Sequence, residues 1–347
     1  MRRLLSSWVV LGPLLVGLTA CSRSDAEPAA RSAGAPASAA GATSQPAPGE
    51  APGAVPAAGP PVASDLAPAT VVVVPPLSDR LSRPAAPLVV AIGDLHGDLD
   101  AARRALRLAG AIDATDQWVG GELVLVQTGD LIDRGDDDRA LLDLLERLRP
   151  QAQRAGGQLV AMSGNHELMN VDLNFGYVTR ASMESFASEG GRAAAFRPTG
   201  PYAVMLADRP VVYQVGDTIF VHGGILPKHV RYGLDRMNDE VRAWMLGQRP
   251  NAPDIVEVSD GLIWTRLYSL DTNEQGCALL GEALALLKVK RMVVGHTPQL
   301  SGITSACDGR VWRIDTGMSH YYGGPLEVLE IRGDQVSARK ESPSPTN

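Results

Sequence analysis

Four of the six histidines in this chain fall inside short glycine-containing motifs, where chance would scatter them. The motifs are Gly93-Asp94-Leu95-His96-Gly97, Gly129-Asp130-Leu131-Ile132-Asp133-Arg134-Gly135, Gly164-Asn165-His166-Glu167, His222-Gly223-Gly224 and Gly295-His296-Thr297. Carboxylate and imidazole groups without thiolates suit Mn²⁺, Fe or Zn²⁺. A carboxylate can bridge two such ions. Two ions about 3.5–4 Å apart can clamp a phosphoryl group and activate a water. An arginine beside them can hold phosphate oxygens in a bidentate fork. Taken singly, each residue has a plainer reading. Asp94, Asp130 and Asp133 could be turn carboxylates. His166 could be a satisfied core histidine, and Arg134 could pair with Asp136 or Asp137. The ordered set of five argues against these readings. His229 and His320 stand outside it and are expected to have no catalytic role.

The motifs must be held in place by regular elements, and each directly follows an apolar run. The runs are Leu88–Ile92, Leu123–Gln127, Leu159–Met162, Thr218–Val221 and Met292–Val294. Further runs are Val211–Val215, Val311–Ile314 and Val328–Ile331. Between the first of them lie helical patterns. Asp98–Ala109 places Leu99, Ala102, Leu106 and Ala109 on one face, and Leu141, Leu142, Leu145 and Leu148 mark another helix. Continuous apolar runs separated by amphipathic helices predict an α/β fold with buried strands. In such sheets ligands bind beyond the carboxyl ends of the strands, so all five motifs can converge on one cleft. Residues 168–210 carry no comparable motif and read as an accessory helical segment near the site. Asp136–Asp138 reads as a solvated helix start. Met162 and Met169 read as core filler. His320-Tyr321-Tyr322-Gly323-Gly324 reads either as the mouth of the substrate site or as an ordinary surface loop.

The chain has 347 residues, 45% of them apolar, a net charge of −7 and a pI near 5.4. The apolar share excludes a wholly disordered protein. The acidic balance argues against nucleic acid as a partner. No apolar run reaches the roughly 18–20 residues needed to span a bilayer. Arg2 and Arg3 followed by an apolar stretch from Leu4 to Leu18 read as a secretory signal peptide over residues 1–20. Of the 49 residues from 22 to 70, 37 are Ala, Pro, Gly or Ser, so no core can form there. The expected division is therefore a signal peptide (1–20), Cys21 with an Ala/Pro-rich tether (21–86), and a catalytic domain (87–340). In an oxidising compartment a Cys277–Cys307 disulfide is permitted, though the sequence does not bring the two together.

Leu18-Thr19-Ala20-Cys21 resembles the lipobox of bacterial lipoproteins. The resemblance implies cleavage before Cys21 and acylation of that residue, which anchors the protein to a membrane. Ser22 after the cysteine suggests the outer membrane, with the domain facing the periplasm.

The five motifs together resemble the calcineurin-like metallophosphoesterases of the phosphoprotein phosphatase family, in order over residues 88–320. Asn165–Asn170, Val221–Pro227, Leu262–Ser269, Val294–Pro298 and Arg313–Ser319 resemble the Shewanella-like protein phosphatase branch. The fold implied is a two-sheet β-sandwich flanked by helices. The resemblance implies two divalent metal ions, Mn²⁺ first and Fe or Zn²⁺ as alternatives. Asp94 and His96 would bind the first ion and Asp130 would bridge both. Asn165, His222 and His296 would bind the second. Arg134 would bind the substrate phosphate with help from Asn165. A second phosphate-binding arginine is expected between the fourth and fifth motifs, with Arg266 the candidate and Arg242 its rival. Trp264 and Tyr268 beside Arg266 read as packing residues. His166 would protonate the leaving oxygen, oriented by Asp133, and a metal-bridging hydroxide would be the nucleophile.

The reading that follows is a phosphatase acting on phosphoprotein or small phosphomonoesters. Two alternatives remain at this stage: a dinucleoside polyphosphate hydrolase, and a non-catalytic metal-binding lipoprotein of the cell envelope.

Overall fold

The computed structural model describes residues 74–270 and 272–341. The residues expected to form a signal peptide, Cys21 and the expected tether as far as residue 73 lie outside the described residues. The strands are, in chain order, β1 (Ser82–Arg83), β2 (Val89–Ile92), β3 (Val124–Gln127), β4 (Gln158–Ala161), β5 (Val212–Val215), β6 (Thr218–Val221), β7 (Arg291–Val294), β8 (Thr304–Ala306), β9 (Val311–Arg313), β10 (Glu327–Arg332) and β11 (Gln335–Lys340). They form two sheets, ordered β11-β10-β2-β3-β4 and β1-β5-β6-β7-β9-β8. Strands β2, β3 and β4 run parallel in the first sheet, and β6, β7 and β9 run parallel in the second.

The continuous apolar runs are explained by burial of both sheet faces. Val89, Ala91, Val124, Val126, Val160 and Met162 face Tyr213, Phe220, Val293 and Ile314 between the sheets. The alternate residues Val90, Ile92, Leu125 and Ile219 point outward and pack under helices. A strand side chain points to opposite faces in turn, so two covered faces require an unbroken apolar sequence. The sandwich with helical outer layers is the fold expected from the sequence.

The helices are α1 (Leu99–Leu108), α2 (Asp138–Arg154), α3 (Asn165–Val171), α4 (Arg180–Glu184), α5 (Arg192–Phe196), α6 (Pro201–Leu206), α7 (Pro227–Tyr232), α8 (Leu234–Met245), α9 (Asp254–Glu257) and α10 (Glu274–Leu287). Helix α1 begins where Asp98 accepts the Ala101 N–H at 2.9 Å, a side-chain N-cap. The segment from 168 to 210 is helical, as expected, and supplies α4, α5 and α6. Cys277, in the first turn of α10, is bonded to Cys307 in the β8–β9 turn, with Cα atoms 5.4 Å apart. No described helix is long and apolar enough to cross a membrane.

Two sequence expectations are corrected. The span expected for the tether, drawn to residue 86, overlaps the folded body. Leu81 is buried, and β1 pairs in parallel with β5, so residues from at least 81 onward belong to the folded body. A two-residue strand among prolines has too little pattern to be read in advance. The acidic run is not uniformly solvated either. Asp136 and Asp137 are exposed, whereas Asp138 is completely buried. Its Oδ1 accepts the Asp133 N–H at 2.9 Å and its Oδ2 pairs with Arg192 at 2.7 Å.

Candidate active site

The loops after β2, β3, β4, β6 and β7 meet at one edge of the sandwich. They carry Asp94, His96, Asp130, Asn165, His166, His222 and His296, all buried. Several of these residues occupy backbone conformations that L-residues rarely adopt. His96, Asp130, Asp133, Arg134 and His296 have φ of 44°, 54°, 71°, 68° and 69°. Strain of this kind persists where surrounding contacts over-determine it, and it clusters at functional sites.

The histidines are oriented from behind. His96 Nδ1 lies 3.3 Å from the Ile132 carbonyl, His222 Nδ1 lies 3.0 Å from that of Thr128, and His296 Nε2 lies 3.1 Å from that of Trp264. A carbonyl only accepts, so each of these ring nitrogens carries the proton. The other ring nitrogen of each is turned towards the centre. His222 Nε2 lies 3.1 Å from Asp130 Oδ2 and 2.9 Å from Asn165 Oδ1. His96 Nε2 lies 3.9 Å from Asp130 Oδ2 and 4.0 Å from Asp94 Oδ2. Imidazoles anchored to backbone carbonyls beside carboxylates are the usual support of metal ligands.

Among the described residues, two groups have ligand atoms close enough to share an ion: His96, Asp130 and His166, and Asp130, His222 and His296. Asp130 belongs to both. His166 differs from the others in its partner. Its Nδ1 lies 2.7 Å from Asp133 Oδ2. Burial opposes its protonation, but the Asp130 and Asp133 carboxylates outweigh burial and hold its pKa up. Burial and the neighbouring His166 push His96 down to about 3. Burial and His222 hold His296 low as well. His96 and His296 are thus neutral and able to ligate, whereas His166 favours its proton. Burial also opposes ionisation of Asp130, yet the His222 and His166 imidazoles keep its carboxyl well below the usual range. Burial, then repulsion from Asp315 and Asp130, raises Asp94.

Arg134 flanks this centre and is enclosed by aromatic rings. Its guanidinium carbon lies 4.5 Å from the ring centre of Tyr177, 5.1 Å from Tyr321 and 5.5 Å from Tyr322. These are cation–π distances. His96, Arg134, Asp136, His320 and Tyr321 line a cavity of about 300 Å³. His320 and Tyr321 of the His320–Gly324 segment thus line this cavity beside the centre. It is tied to α1 by Asp98, whose Oδ2 accepts the His320 N–H at 2.6 Å.

Arg266 reaches the same centre from the side of His296. Its Nη1 donates to the His296 carbonyl at 2.7 Å and to Thr297 Oγ1 at 3.0 Å. Arg242 is not brought to the site. It lies on α8, 3.4 Å from Asp208, beside a cavity shared with Arg80, Arg149 and Arg209. Trp264 and Tyr268 pack as expected, Tyr268 being fully buried.

Two positioning residues are not assigned a role by the sequence reading. Glu167 accepts the N–H groups of Gly164 and Asp130 with Oε2, at 2.7 and 2.8 Å, and that of Leu131 with Oε1 at 2.8 Å. One carboxylate thus joins the loops after β3 and β4. A Glu at the third position of a helix, reaching back to the cap backbone, is the available sequence signal. Asp315 sits behind Asp94, and burial raises it to about 6.

A two-sheet sandwich with two histidine–carboxylate groups sharing one aspartate is the construction of a metal-dependent phosphoesterase. The sequence profile of the calcineurin-like phosphoesterases matches residues 87–300, and the chain belongs to that family. Shewanella-like protein phosphatase 2 of Arabidopsis thaliana is 40% identical over 294 residues, covering 71% of this chain and 75% of the relative. Shewanella-like protein phosphatase 1 of Plasmodium berghei is 31% identical over 264 residues, covering 72% and 73%. The solved structure of a cold-active protein tyrosine phosphatase superposes with a TM-score of 0.67 at 25% identity, covering 76% of this chain and 78% of that one. Family, relatives and site together define a dimetal-dependent phosphatase, an enzyme acting on phosphorylated substrates.

Proposed function

We propose that the enzyme hydrolyses phosphotyrosine side chains. The observation that carries this reading is the enclosure of Arg134 by Tyr177, Tyr321 and Tyr322. An aryl phosphate can lay its ring against these faces while its phosphate takes the guanidinium; a seryl phosphate has no ring to stack. The likeness to a solved protein tyrosine phosphatase supports the same substrate.

In this reading Asp94, His96 and Asp130 hold one divalent ion, and Asp130, Asn165, His222 and His296 hold the other. The oxygen and nitrogen donors fit manganese, with iron or zinc as alternatives. Bound ions of this kind supply Lewis acidity towards phosphoryl oxygens and lower the pKa of a water. Arg134 and Arg266, with the Asn165 amide, hold the phosphate. His166 donates its Nε2 proton to the leaving oxygen as the phosphorus–oxygen bond breaks. Asp133 Oδ2 fixes the imidazole for this by accepting from Nδ1.

We also propose that Cys21 is acylated and anchors the enzyme in a bacterial envelope, facing the periplasm. The support is the Arg2-Arg3 start, the apolar stretch and Leu18-Thr19-Ala20-Cys21. The Ala/Pro-rich residues after it then act as a tether for the catalytic domain. Labelling with a radioactive fatty acid should mark the chain, and Cys21→Ser should abolish the label.

The activity test uses the full chain with Mn²⁺ on a phosphotyrosine peptide, its phosphoserine counterpart and diadenosine tetraphosphate, each with and without chelator. Chelator-sensitive phosphate release fastest from phosphotyrosine is expected, with the preference lost in Tyr321→Ala. Equal rates on both peptides would overturn the tyrosine reading. Cleavage of the dinucleotide alone would make this a dinucleoside polyphosphate hydrolase.

A further inference from the structure

The Asp133 carboxylate has two ends. Oδ2 meets His166 Nδ1 at 2.7 Å. Oδ1 meets a side chain from the segment without motifs: Arg192 of α5 places Nη2 3.0 Å away. We propose that Arg192 is a positioning residue for proton donation by His166, acting through Asp133. The proposal rests on the reading of His166 as the general acid.

Arg192 is built into the core. Its side chain has no exposed surface. Nη2 also meets Asp138 Oδ2 at 2.7 Å, Nε donates to Asn170 Oδ1 at 2.8 Å, and Nη1 donates to Ser182 Oγ at 2.8 Å. Its guanidinium carbon lies 5.0 Å from the ring centre of Phe186 and 4.9 Å from that of Phe196. A buried cation is retained only where its charge and its donors are matched, and here every nitrogen has a partner.

Two of these partners lead back to the acid. Asn170, held by Arg192, donates from Nδ2 to Asp133 Oδ1 at 2.9 Å and to the His166 carbonyl at 2.9 Å. Asp138, held by the same guanidinium, accepts the Asp133 N–H at 2.9 Å. Arg192 thus fixes Asp133 through its carboxylate directly and through its backbone by way of Asp138. With Oδ1 occupied by two donors, the carboxylate cannot rotate away from His166, and Oδ2 remains for the imidazole. A carboxylate freed of these donors samples other rotamers, and the imidazole loses its fixed orientation. A purely structural role would tie helices α2, α3 and α5 together without affecting proton transfer in particular.

The two roles separate on leaving groups. Phenyl phosphate needs its leaving oxygen protonated; 2,4-dinitrophenyl phosphate does not. In the full chain with Mn²⁺, kcat on both is measured for wild type, Arg192→Lys, Arg192→Met, His166→Asn and the His166→Asn/Arg192→Lys double variant, with bound metal and KM recorded. Arg192→Lys keeps the charge and guards against a failure of Arg192→Met to fold. For each Arg192 variant that folds, we expect kcat on phenyl phosphate to fall at least about tenfold more than on the dinitrophenyl ester, with metal content unchanged. Adding Arg192→Lys to His166→Asn should not widen that gap, because residues acting as one unit are not additive. Equal losses on both esters, alongside a wide gap for His166→Asn, would reduce Arg192 to structure and leave the acid standing. No gap for His166→Asn itself would remove the acid assignment, and this proposal with it.

Discussion

His222 Nε2 lies 3.1 Å from Asp130 Oδ2, and with His296 these two residues can hold one ion. A divalent ion bound there would tie together the loops after β3, β6 and β7. Removing metal should therefore lower both activity and stability. Binding at a hundredfold excess over Kd contributes about 2.7 kcal/mol. Calorimetry with and without chelator should show a fall in Tm that Mn²⁺ restores. Asp130→Asn should bind less metal, since one carboxylate belongs to both groups. Unchanged metal content in that variant would refute the shared-ligand assignment.

His166 serves proton transfer in the reading above. His166→Asn should retain its metal and lose about 10²-fold in kcat on a poor leaving group. Metal analysis of the purified variant beside its kinetics checks both halves. Full activity on phenyl phosphate would show that some other group supplies the proton.

Gly295 precedes His296 because no larger residue fits. A Cβ there would lie 2.4 Å from Asp94 Oδ1 and 3.0 Å from Thr128 Oγ1. Gly295→Ala should push the Asp94 carboxylate aside and weaken metal binding about tenfold or more, as disturbance of a supporting group does. Titration of the variant with Mn²⁺ reads this directly; wild-type affinity would show that Asp94 is not a ligand.

The Cys277–Cys307 bond closes a loop with a sequence separation of 30. Loop-closure entropy for such a length is worth about 3–4 kcal/mol. Cys277→Ser/Cys307→Ser should lower stability by an amount of that order in denaturant unfolding. The active-site loops are held by other contacts, so kcat at low temperature should stay near wild type.

His229 is buried, and its Nδ1 accepts the Leu226 N–H at 3.0 Å. Burial and Lys228 depress its pKa from 6.5 to about 4. Between those values the unfolded chain binds a proton that the folded protein does not. Its contribution is therefore intact above about pH 6.5 and lost as pH falls towards 4, by up to about 3 kcal/mol. His229→Gln keeps an acceptor and cannot titrate. The stability difference between wild type and variant should change across that window, and a constant difference would exclude the histidine as its cause. Burial also depresses His96 and His296, but both are present in each protein and cancel in the comparison.

Much of the site was legible because its residues sit in fixed places after strands. Asp94, Asp130, Asn165, His222 and His296 each follow an apolar run by a few residues, and parallel strands bring such positions to one edge. The runs themselves were unbroken because both faces of each sheet are covered. Strand β11 left little trace, since Gln335–Lys340 is a largely polar edge with little buried surface. Strand β8 is three residues long, too short for a period to show.

The sequence alone determined the candidate residues, their order, and the elements they lie between. It could do so because ligand type and spacing are local properties. Only the tertiary structure decided which partners those side chains meet. It paired Cys277 with Cys307, buried Asp138 within an apparently solvated acidic run, and set Arg266 rather than Arg242 beside His296. It also brought Tyr177, Tyr321 and Tyr322 around Arg134 from segments more than 140 residues apart. Such contacts depend on how layers pack, and packing joins residues whose separation along the chain carries no pattern.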